Sequence, residues 1–504
     1  MPLFNLPDGR FVYPWLSVIR RFFTNIPLAA ALIVVCQGCA VITRVPPAPG
    51  IPRSAAAATR TNRISREDAI ADLEALMRTL ENVHPAPYSF RSREDVLTER
   101  RQIVSALPES MSRAEWWTRL APFIASLGDG HTLISNPLEE EAEALNGMSV
   151  FPADVKLDDN RHFIIAVVHG NQTGIERGDR ILSVNGRDAD SLLSEWTRER
   201  SGDSLAGRMT DVADRFKTFL LIHSLQPPYT LRVASAEGID REVTLQGIPA
   251  MPEADVLFTY RTLEPAIGYM NFLSMSGDLD RFKNDIAAMF RRVRNDSVRT
   301  LLIDLRHNGG GDDALGDELL RYINQKPYRG WSSGELKRSA ELRSYDKTYY
   351  RIPFRWLPLY FFFSKERMLH FGARGSLAAL PQQLVAQKMK EEPFFSGPVC
   401  VLTGPYTFSA AVIFADAIKT FHLATLVGEE TGGHPNFFGD AYDFRLPRSG
   451  LLASVSTAHW VRANSDATDL DPVIPDVVVK TTAEDIRAGR DPVLERALNC
   501  PKID

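Results

Sequence analysis

Apolar residues recur at helical spacing where the folded part of the chain begins. After Ser65 they stand three or four positions apart, at Ile70, Leu73, Leu76, Met77 and Leu80. This period predicts an amphipathic helix, for which Ser65 is a suitable N-cap and the His84–Pro87 segment a stop. Similar stretches at 93–106 and 112–127 complete a predicted helical region at 65–147.

Residues 148–247 change to the alternating pattern of β-strands. Short runs predict strands, at 162–168, 180–184, 229–233 and 242–245. The stretch Gly178–Gly186 (GDRILSVNG) takes an apolar strand into an Asn-Gly turn, where positive φ costs little. It resembles the core of a PDZ domain, a fold that binds an extended peptide as an added strand. The region is interpreted either as a peptide-binding PDZ-like β domain or as a packing or gating unit without a free groove.

Residues 251–498 alternate buried strands with helices. The strands are predicted at 266–270, 300–304, 399–403 and 425–427, and the helices at 279–294, 314–324 and 409–420. Such βα alternation predicts an α/β domain. One segment within it, 345–395, begins with a run dense in aromatic and basic residues. It is either a buried insertion or a cover that faces substrate or membrane.

The segment 1–39 has the layout of an export signal. Two arginines precede a ten-residue apolar run, 27–36, which is shorter than the roughly 20 residues that span a bilayer. The run leads to a small residue before Cys39, which resembles a bacterial lipoprotein cleavage box with Cys39 as the lipidated residue. With 40–64 as a linker rich in Pro, Ala and Arg, we expect a lipid-anchored protein on the periplasmic side of a bacterial cell envelope. A plain signal peptide, an uncleaved anchor and a cytoplasmic helix are the alternatives.

Charge and composition narrow the classes of function. The 504 residues carry 58 basic and 63 acidic side chains, a formal net charge of −5, so a nucleic-acid-binding surface is not predicted. The length suggests about three domains. The sequence has neither an HExxH motif nor paired CxxC motifs, so no metal or other cofactor is predicted. Four cysteines cannot form a dense disulfide framework, and a single bridge between Cys400 and Cys500 is left open.

Two segments that contain glycine could carry chemistry. A buried strand runs into Asn308–Asp312 (NGGGD), where glycines let the backbone approach a ligand and expose N–H groups. No Gly-Lys-Ser/Thr follows, so an oxyanion site is favoured over a nucleotide site. In the second segment Ser409 stands at the start of a predicted helix. It is either a nucleophile or an ordinary N-cap.

These segments occur in the order found in one known family. The order is GDGHT at 128–132, the PDZ-like stretch, DLRHNGGG at 304–311, YTFSAA at 406–411, VGEETGG at 427–433 and Pro475-Asp476. Together they resemble the tail-specific, or carboxyl-terminal processing, serine peptidases and their relatives with a tricorn-like core. The resemblance covers residues 66–498. It implies an α/β core of the ClpP/crotonase type and an exported serine endopeptidase that cleaves polypeptides by acyl transfer.

The same core also serves other functions. The retinoid-binding modules of the interphotoreceptor protein share it, so the fold alone does not establish peptidase activity. One alternative is a catalytically inactive relative that binds peptide or a hydrophobic ligand. The other is a membrane-anchored PDZ-type scaffold.

The resemblance also implies roles for single residues. Ser409 matches the nucleophile. The N–H of Gly309 or of Gly310, together with that of Ala410, matches the oxyanion hole. The processing proteases place a lysine base about 25 residues after the serine, and this chain has His434 there.

In the tricorn-like branch the general base is instead a histidine of an early loop, which His131 matches. An acid near the carboxyl end accompanies it, and Asp469 is nearest to that position, although the family usually has glutamate there. A histidine base needs an acceptor on its other ring nitrogen, and we expect Asp469 to serve His131 in this way. His131 is the favoured base and His434 a residue of the substrate site or of the surroundings of the base; His434 as the base is the alternative.

Overall fold

The computed structural model describes residues 63–138, 147–250, 256–264, 266–349, 372–381, 384 and 394–500. The predictions for the segment 1–39 with Cys39, for nearly all of the linker 40–64 and for most of the segment 345–395 lie outside these residues. Among the described residues, no helix has the length and apolar character needed to cross a membrane.

Three helices open the described chain, where the apolar spacing predicted them. They are α1 (Arg66–Val83), α2 (Arg93–Ser105) and α3 (Arg113–Ala125). Each follows a serine whose side chain accepts a hydrogen bond from a main-chain N–H of the first turn, namely Ser65, Ser92 and Ser112. A short antiparallel ladder joins β1 (Ile64–Ser65) to β2 (Ser110–Met111). The strand β3 (Leu133–Ile134) follows the GDGHT loop.

An antiparallel sheet forms the next region. Its strands and the short pair beside it are β4 (Ser149–Val150), β5 (Ala153–Leu157), β6 (Phe163–Val168), β7 (Arg180–Val184), β8 (Arg187–Asp188), β9 (Tyr229–Ala234), β10 (Asp240–Leu245) and β11 (Ile248–Pro249). The order across the sheet is β10-β9-β7-β6-β5, with β8 beside β7, while β4 pairs with β11. The predicted Asn-Gly turn joins β7 to β8, with φ of 48° at Asn185 and 77° at Gly186.

Three helices pack against this sheet and the short pair beside it. They are α4 (Ala189–Glu199), α5 (Leu205–Asp214) and α6 (Phe216–Ile222). Helix α5 contacts both the edge strand β5 and α4. The chain therefore places its own helix next to the strand edge that a PDZ-like peptide site would use.

A mixed sheet with parallel strands organises the second half of the chain. It consists of β12 (Phe258–Glu264), β13 (Ile267–Phe272), β14 (Thr300–Asp304), β17 (Val399–Thr403), β18 (Thr425–Gly428) and β21 (Val477–Val478), side by side in this order. All neighbours from β13 onward are parallel. The helices of this half are α7 (Leu279–Asn295), α8 (Asp313–Ile323), α9 (Ala340–Tyr349), α10 (Ala410–Phe421), α11 (Ala483–Ala488) and α12 (Pro492–Ala497).

Both faces of the parallel strands are buried, which the continuous apolar runs in the sequence required. On β14, Leu301 and Ile303 join the core formed with α7, α8 and α10. Leu302 points to the other face and packs with Val493 of α12. The predicted α/β alternation is therefore present, with α12 covering the second face.

A further sheet connects the helical region to this core. Its strands are β15 (Trp331–Lys337), β16 (Leu377–Pro381), β19 (Phe437–Arg445) and β20 (Leu452–Arg462), in the order β16-β15-β20-β19. β3 pairs with β20 through Leu133 opposite Ser454 and Ile134 opposite Ala453. The loop that precedes β3 is thereby attached to the second half of the chain.

The carboxyl-terminal helix α12 is held to the sheet at two points. A disulfide joins Cys400 on β17 to Cys500. The guanidinium of Arg306 lies 2.6 Å from Asp304 and 2.7 Å from Asp491. Both contacts fix the end of the chain against strands that lead into the glycine and serine segments.

Cys500→Ser should loosen α12 from the sheet. A bridge between residues 100 positions apart is worth about 4.7 kcal/mol in the chain-entropy estimate. We therefore expect a lower thermal unfolding temperature and faster proteolytic cleavage near 492–500. The parent protein treated with reductant is the control and should reproduce the cleavage pattern of the variant. Equal digestion rates for variant and oxidised parent would contradict this role of the bridge.

Candidate active site

Ser409 stands in a strained backbone conformation at the start of α10. Its φ is 53° and its ψ is −124°, a region that residues other than glycine avoid. The side chain makes no capping hydrogen bond to the helix. Its Oγ lies instead 2.8 Å from Nε2 of His131. Ser409 is therefore not a side-chain cap, and its hydroxyl faces the histidine of the GDGHT loop.

Two hydrogen bonds fix the turn that carries Ser409. The hydroxyl of Thr407 donates to the carbonyl of Leu305 at 2.9 Å. The N–H of Phe408 donates to the carbonyl of Asn308 at 3.1 Å. Because both acceptors follow directly on β14, the serine turn is positioned by the neighbouring strand and not by its own helix.

His131 lies between two aromatic rings. Its ring centroid is 4.8 Å from that of Phe408 and 5.3 Å from that of Phe437. Removal from water lowers the pKa of His131, against the opposing effects of the Asp129 carboxylate and the Phe438 main chain. The imidazole is therefore neutral at neutral pH, which is the form that can accept a proton.

Asp129 holds the GDGHT loop in place through hydrogen bonds, a role that was not predicted from the sequence. Its Oδ1 accepts the N–H of His131 at 2.9 Å. Its Oδ2 lies 3.0 Å from Nε2 of His84 and accepts the hydroxyl of Ser456 at 2.6 Å. Burial alone would raise the pKa of Asp129, but the contacts with His84 and Ser456 and the nearby His131 lower it below its usual value. The available signal was its position two residues before His131.

Two main-chain N–H groups beside Ser409 are free to hold an oxyanion. Among the hydrogen bonds of the described residues, none uses the N–H of Gly309 or of Ala410. The N–H of Gly310 donates to Oδ1 of Asn308 at 2.9 Å. Of the two glycines that the sequence left open, Gly309 therefore has the available donor.

The structure does not bring Asp469 to His131. The Asp469 carboxylate pairs with Arg462 and accepts the N–H of Asp471 at 2.9 Å. The expected hydrogen bond between Asp469 and His131 is therefore not formed, because Arg462 holds the carboxylate elsewhere. Asp469 acts on His434 instead: burial lowers the pKa of His434, and Asp471 and Asp469 are among the charges that oppose this effect.

His434 is connected to the GDGHT loop, called the base loop below, through the half-buried acid Asp203 and not through its own ring. Oδ1 of Asp203 accepts the N–H of Gly130 at 2.9 Å, and its Oδ2 accepts the N–H of His434 at 3.2 Å. Burial and the neighbouring charge of Asp129 raise the pKa of Asp203 to about 7. Asp203 stands in the loop between α4 and α5, where no local pattern marked it as part of the site.

A cleft of about 340 Å³ opens beside these loops. Its walls include Lys156 of β5, Met209 of α5, His307 and Tyr406. Tyr406 stands three residues before Ser409 and contributes the atom nearest to a Cβ built on Gly309, at 3.5 Å. The cleft is lined on one side by the antiparallel sheet and on the other by residues 306–307 and 403–406, which precede the glycines and Ser409 along the chain; Ser409 and His131 themselves do not line it.

Metal-ligand spacing occurs at one place within the described ranges, the group Glu195, Glu199 and His223. Nε2 of His223 lies 2.9 Å from Glu199, and Nδ1 lies 3.5 Å from Glu195. The imidazole therefore bridges two carboxylates. The group belongs to α4 and the end of α6, and not to the loops around Ser409.

Parts of this chain are similar to known proteins. Residues 266–479 match peptidase family S41. A stretch of 131 residues is 31% identical to the tricorn protease of Thermoplasma volcanium, and it spans 26% of this chain but only 12% of that protein's length. Among solved structures, mature CPAF complexed with lactacystin has a TM-score of 0.60 at 17% identity, covering 84% of this chain and 95% of its own. A CPAF point mutant has a TM-score of 0.62 at 17% identity, covering 87% and 99%. The two structures share the fold of this chain.

Gly310→Ala should disable the site, whereas Gly309→Ala should leave the fold intact. A Cβ at Gly310 would lie 2.7 Å from Cβ of Ser409, on a residue with φ of 97°, while the nearest atom at Gly309 is 3.5 Å away. We expect Gly310→Ala to lower the thermal unfolding temperature and to abolish labelling of Ser409 by a fluorophosphonate. Gly309→Ala should keep the parental unfolding temperature. Equal unfolding temperatures for the two variants would show that Gly310 does not support the serine turn.

Proposed function

We propose that the protein is a serine endopeptidase that cleaves polypeptides by acyl transfer, with its peptidase domain in the residues that match family S41, 266–479. The observation that carries the proposal is the 2.8 Å contact between Oγ of Ser409 and Nε2 of His131. A serine hydroxyl is a weak nucleophile and needs a base at this distance. The formed pair favours an active enzyme over an inactive relative or a scaffold.

The reaction follows from the positions of these groups. Oγ of Ser409 attacks the scissile carbonyl as Nε2 of His131 takes its proton. The N–H groups of Gly309 and Ala410 stabilise the negative charge on the carbonyl oxygen. His131 then gives the proton to the leaving amine, and a water molecule hydrolyses the acyl-enzyme by the same steps. No cofactor takes part in this sequence.

We assign the base to His131 and not to His434. The neutral imidazole of His131 is within hydrogen-bond reach of Ser409. The main chain of His434 is engaged by Asp203, and acidic residues surround its ring. His434 is a residue of the site's surroundings in this proposal.

We also propose a role for each region of the chain. The mixed sheet with α7, α8 and α10 is the ClpP/crotonase-like core, the helices α1 to α3 supply the base loop, and residues 148–247 form a PDZ-like domain. The edge strand β5 lines the cleft beside Tyr406, so a polypeptide could extend from it toward Ser409. Because α5 lies against β5, capture of a free carboxyl terminus at this edge requires that α5 leave space.

Export to the cell envelope and lipid anchoring at Cys39 belong to the same proposal. The bridge between Cys400 and Cys500 supports it, because disulfides persist in oxidising compartments such as the bacterial periplasm. The lipid anchor itself rests on the sequence of the segment 1–39 alone.

Ser409→Ala should remove activity and leave the fold unchanged. The hydroxyl makes a single side-chain hydrogen bond among the described residues, to His131, so its loss costs about 1 kcal/mol. Loss of the nucleophile should lower kcat/KM for an unfolded polypeptide by several orders of magnitude. Thermal unfolding provides the control for folding. A variant that cleaves at nearly the parental rate would remove Ser409 from the mechanism.

His131→Ala should abolish acylation in single-turnover experiments, whereas His434→Ala should retain most of it. The base must be neutral, and the pKa of His131 is lowered from its usual 6.5. Activity should therefore be lost only as the pH falls below this usual value, and should be constant at neutral pH. The opposite pattern, with acylation kept in His131→Ala and lost in His434→Ala, would make His434 the base.

A further inference from the structure

The base His131 lacks an acid on its second ring nitrogen. Nδ1 is buried and makes no hydrogen bond to a side chain among the described residues. Apart from Asp129, the group that raises the pKa of the ring is the main chain of Phe438, and the carboxylate of Asp469 is held by Arg462. Proton transfer from Ser409 nevertheless places a positive charge on the imidazole, in surroundings that favour its neutral form. A buried charge is stable only next to a compensating one.

Asp129 is the anion that the structure supplies. Its side chain is 3% exposed, and both of its oxygens accept hydrogen bonds, from His131, His84 and Ser456. A carboxylate removed from water remains ionised only when donors satisfy it in this way. Since Asp129 stands two residues before His131 in one loop and binds its N–H, the negative charge is held close to the base.

The donors come from separate elements, so the carboxylate cannot turn away. His84 lies at the end of α1, and its Nδ1 accepts the N–H of Ala86 at 3.0 Å. Its Nε2 therefore carries the proton that faces Asp129. Ser456 lies on β20 and donates to the same oxygen, Oδ2. The ring of His84 also packs 4.5 Å from that of Phe438, whose main chain adjoins His131.

We propose that Asp129, held by His84 and Ser456, is the positioning residue that stabilises the protonated form of His131, in place of a carboxylate on Nδ1. This inference rests on the proposed peptidase function. The proton leaves Oγ of Ser409 as the bond from Oγ to the substrate carbon forms, resides on Nε2, and passes to the leaving nitrogen as the peptide bond breaks. Asp129 remains a carboxylate and accepts no proton.

Other titratable groups lie near the base loop, and their effects on the pH profile must be distinguished from that of Asp129. Asp203 meets the loop at the N–H of Gly130, and its pKa is raised to about 7 by burial and by the charge of Asp129. Behind His84 stands His459, whose pKa is lowered by burial and on which Glu335 acts in the opposite direction. Because the pKa of Asp203 falls within the pH range of the measurements, each variant is also compared with its parent in proteins that carry Asp203→Asn.

The test is the pH dependence of fluorophosphonate labelling of Ser409 in the full chain. Asp129→Asn removes the negative charge, so the pKa of His131 should fall, the acid limb should move down by about one pH unit, and the limiting rate should drop by about tenfold to a hundredfold. His84→Asn keeps an acceptor for the N–H of Ala86 but removes the donor to Asp129. The pKa of Asp129 should then rise. Where Asp129 takes up a proton, the rate should fall to the low level of Asp129→Asn, so the acid limb should report this protonation and move to higher pH.

Asp72→Asn is the matched control. Asp72 is also fully buried and accepts the N–H groups of Arg448 and Ser449 at 2.8 and 2.9 Å, but it contacts neither the serine turn nor the base loop in these bonds. This variant should keep the parental pH profile. It should lose stability because a buried carboxylate is replaced, and thermal unfolding measures that loss.

Each outcome decides a separate point. Opposite shifts in Asp129→Asn and His84→Asn support the inference, since loss of packing alone would not move the limb in two directions. An unchanged midpoint in both variants overturns it. If Asp129→Asn does not fold, the midpoint of the acid limb in His84→Asn decides alone. A midpoint at higher pH than in the parent supports the inference, and a parental midpoint overturns it. A parent protein that is never labelled would instead contradict the proposed peptidase function.

Discussion

The hydrogen bond between Oγ of Ser409 and Nε2 of His131 joins two segments that lie 278 residues apart in the sequence. Proton transfer tolerates little error in this distance, so the two segments need a common frame. The pairing of β3 with β20 fixes the histidine loop. The hydrogen bond from Thr407 to Leu305 fixes the serine turn against β14. The surrounding sheets and helices therefore hold the histidine loop and the serine turn at a fixed distance from each other.

Enclosing a histidine base has an electrostatic consequence. The loop in which His131 is desolvated also contacts two carboxylates, the buried Asp129 and the half-buried Asp203. Like charges at close range oppose each other's ionisation, and the pKa directions are opposite: Asp129 is lowered and Asp203 is raised to about 7. The difference follows from their donors, since Asp129 receives a histidine and a hydroxyl whereas Asp203 receives two main-chain N–H groups. At neutral pH one full negative charge therefore lies beside the base.

The residues that could be predicted from the sequence are those with a local signal. Gly310 after a buried strand has a positive φ and close neighbours that require glycine, and Ser409 is marked by its place at the start of a helix. The choice between Gly309 and Gly310 depended on a side chain, Asn308, whose hydrogen bond no spacing reveals. Asp469 was expected at His131 from its place near the carboxyl end, and the structure pairs it with Arg462 instead. Tertiary contacts between distant segments set such partnerships, and one sequence does not contain them.

The segment that matches the peptidase family, residues 266–479, holds the nucleophile and the free N–H groups but not the proposed base. His131 and Asp129 precede it by more than a hundred residues, on the loop between α3 and β3. His434 lies within the segment, yet its main chain is bound by Asp203, which itself comes from the loop after α4. In the proposed mechanism, therefore, the histidine that stands at the position of the lysine does not act as the base. The chemistry proposed here is therefore a property of the helical region and the α/β core together, and the core alone would contain a serine without a base.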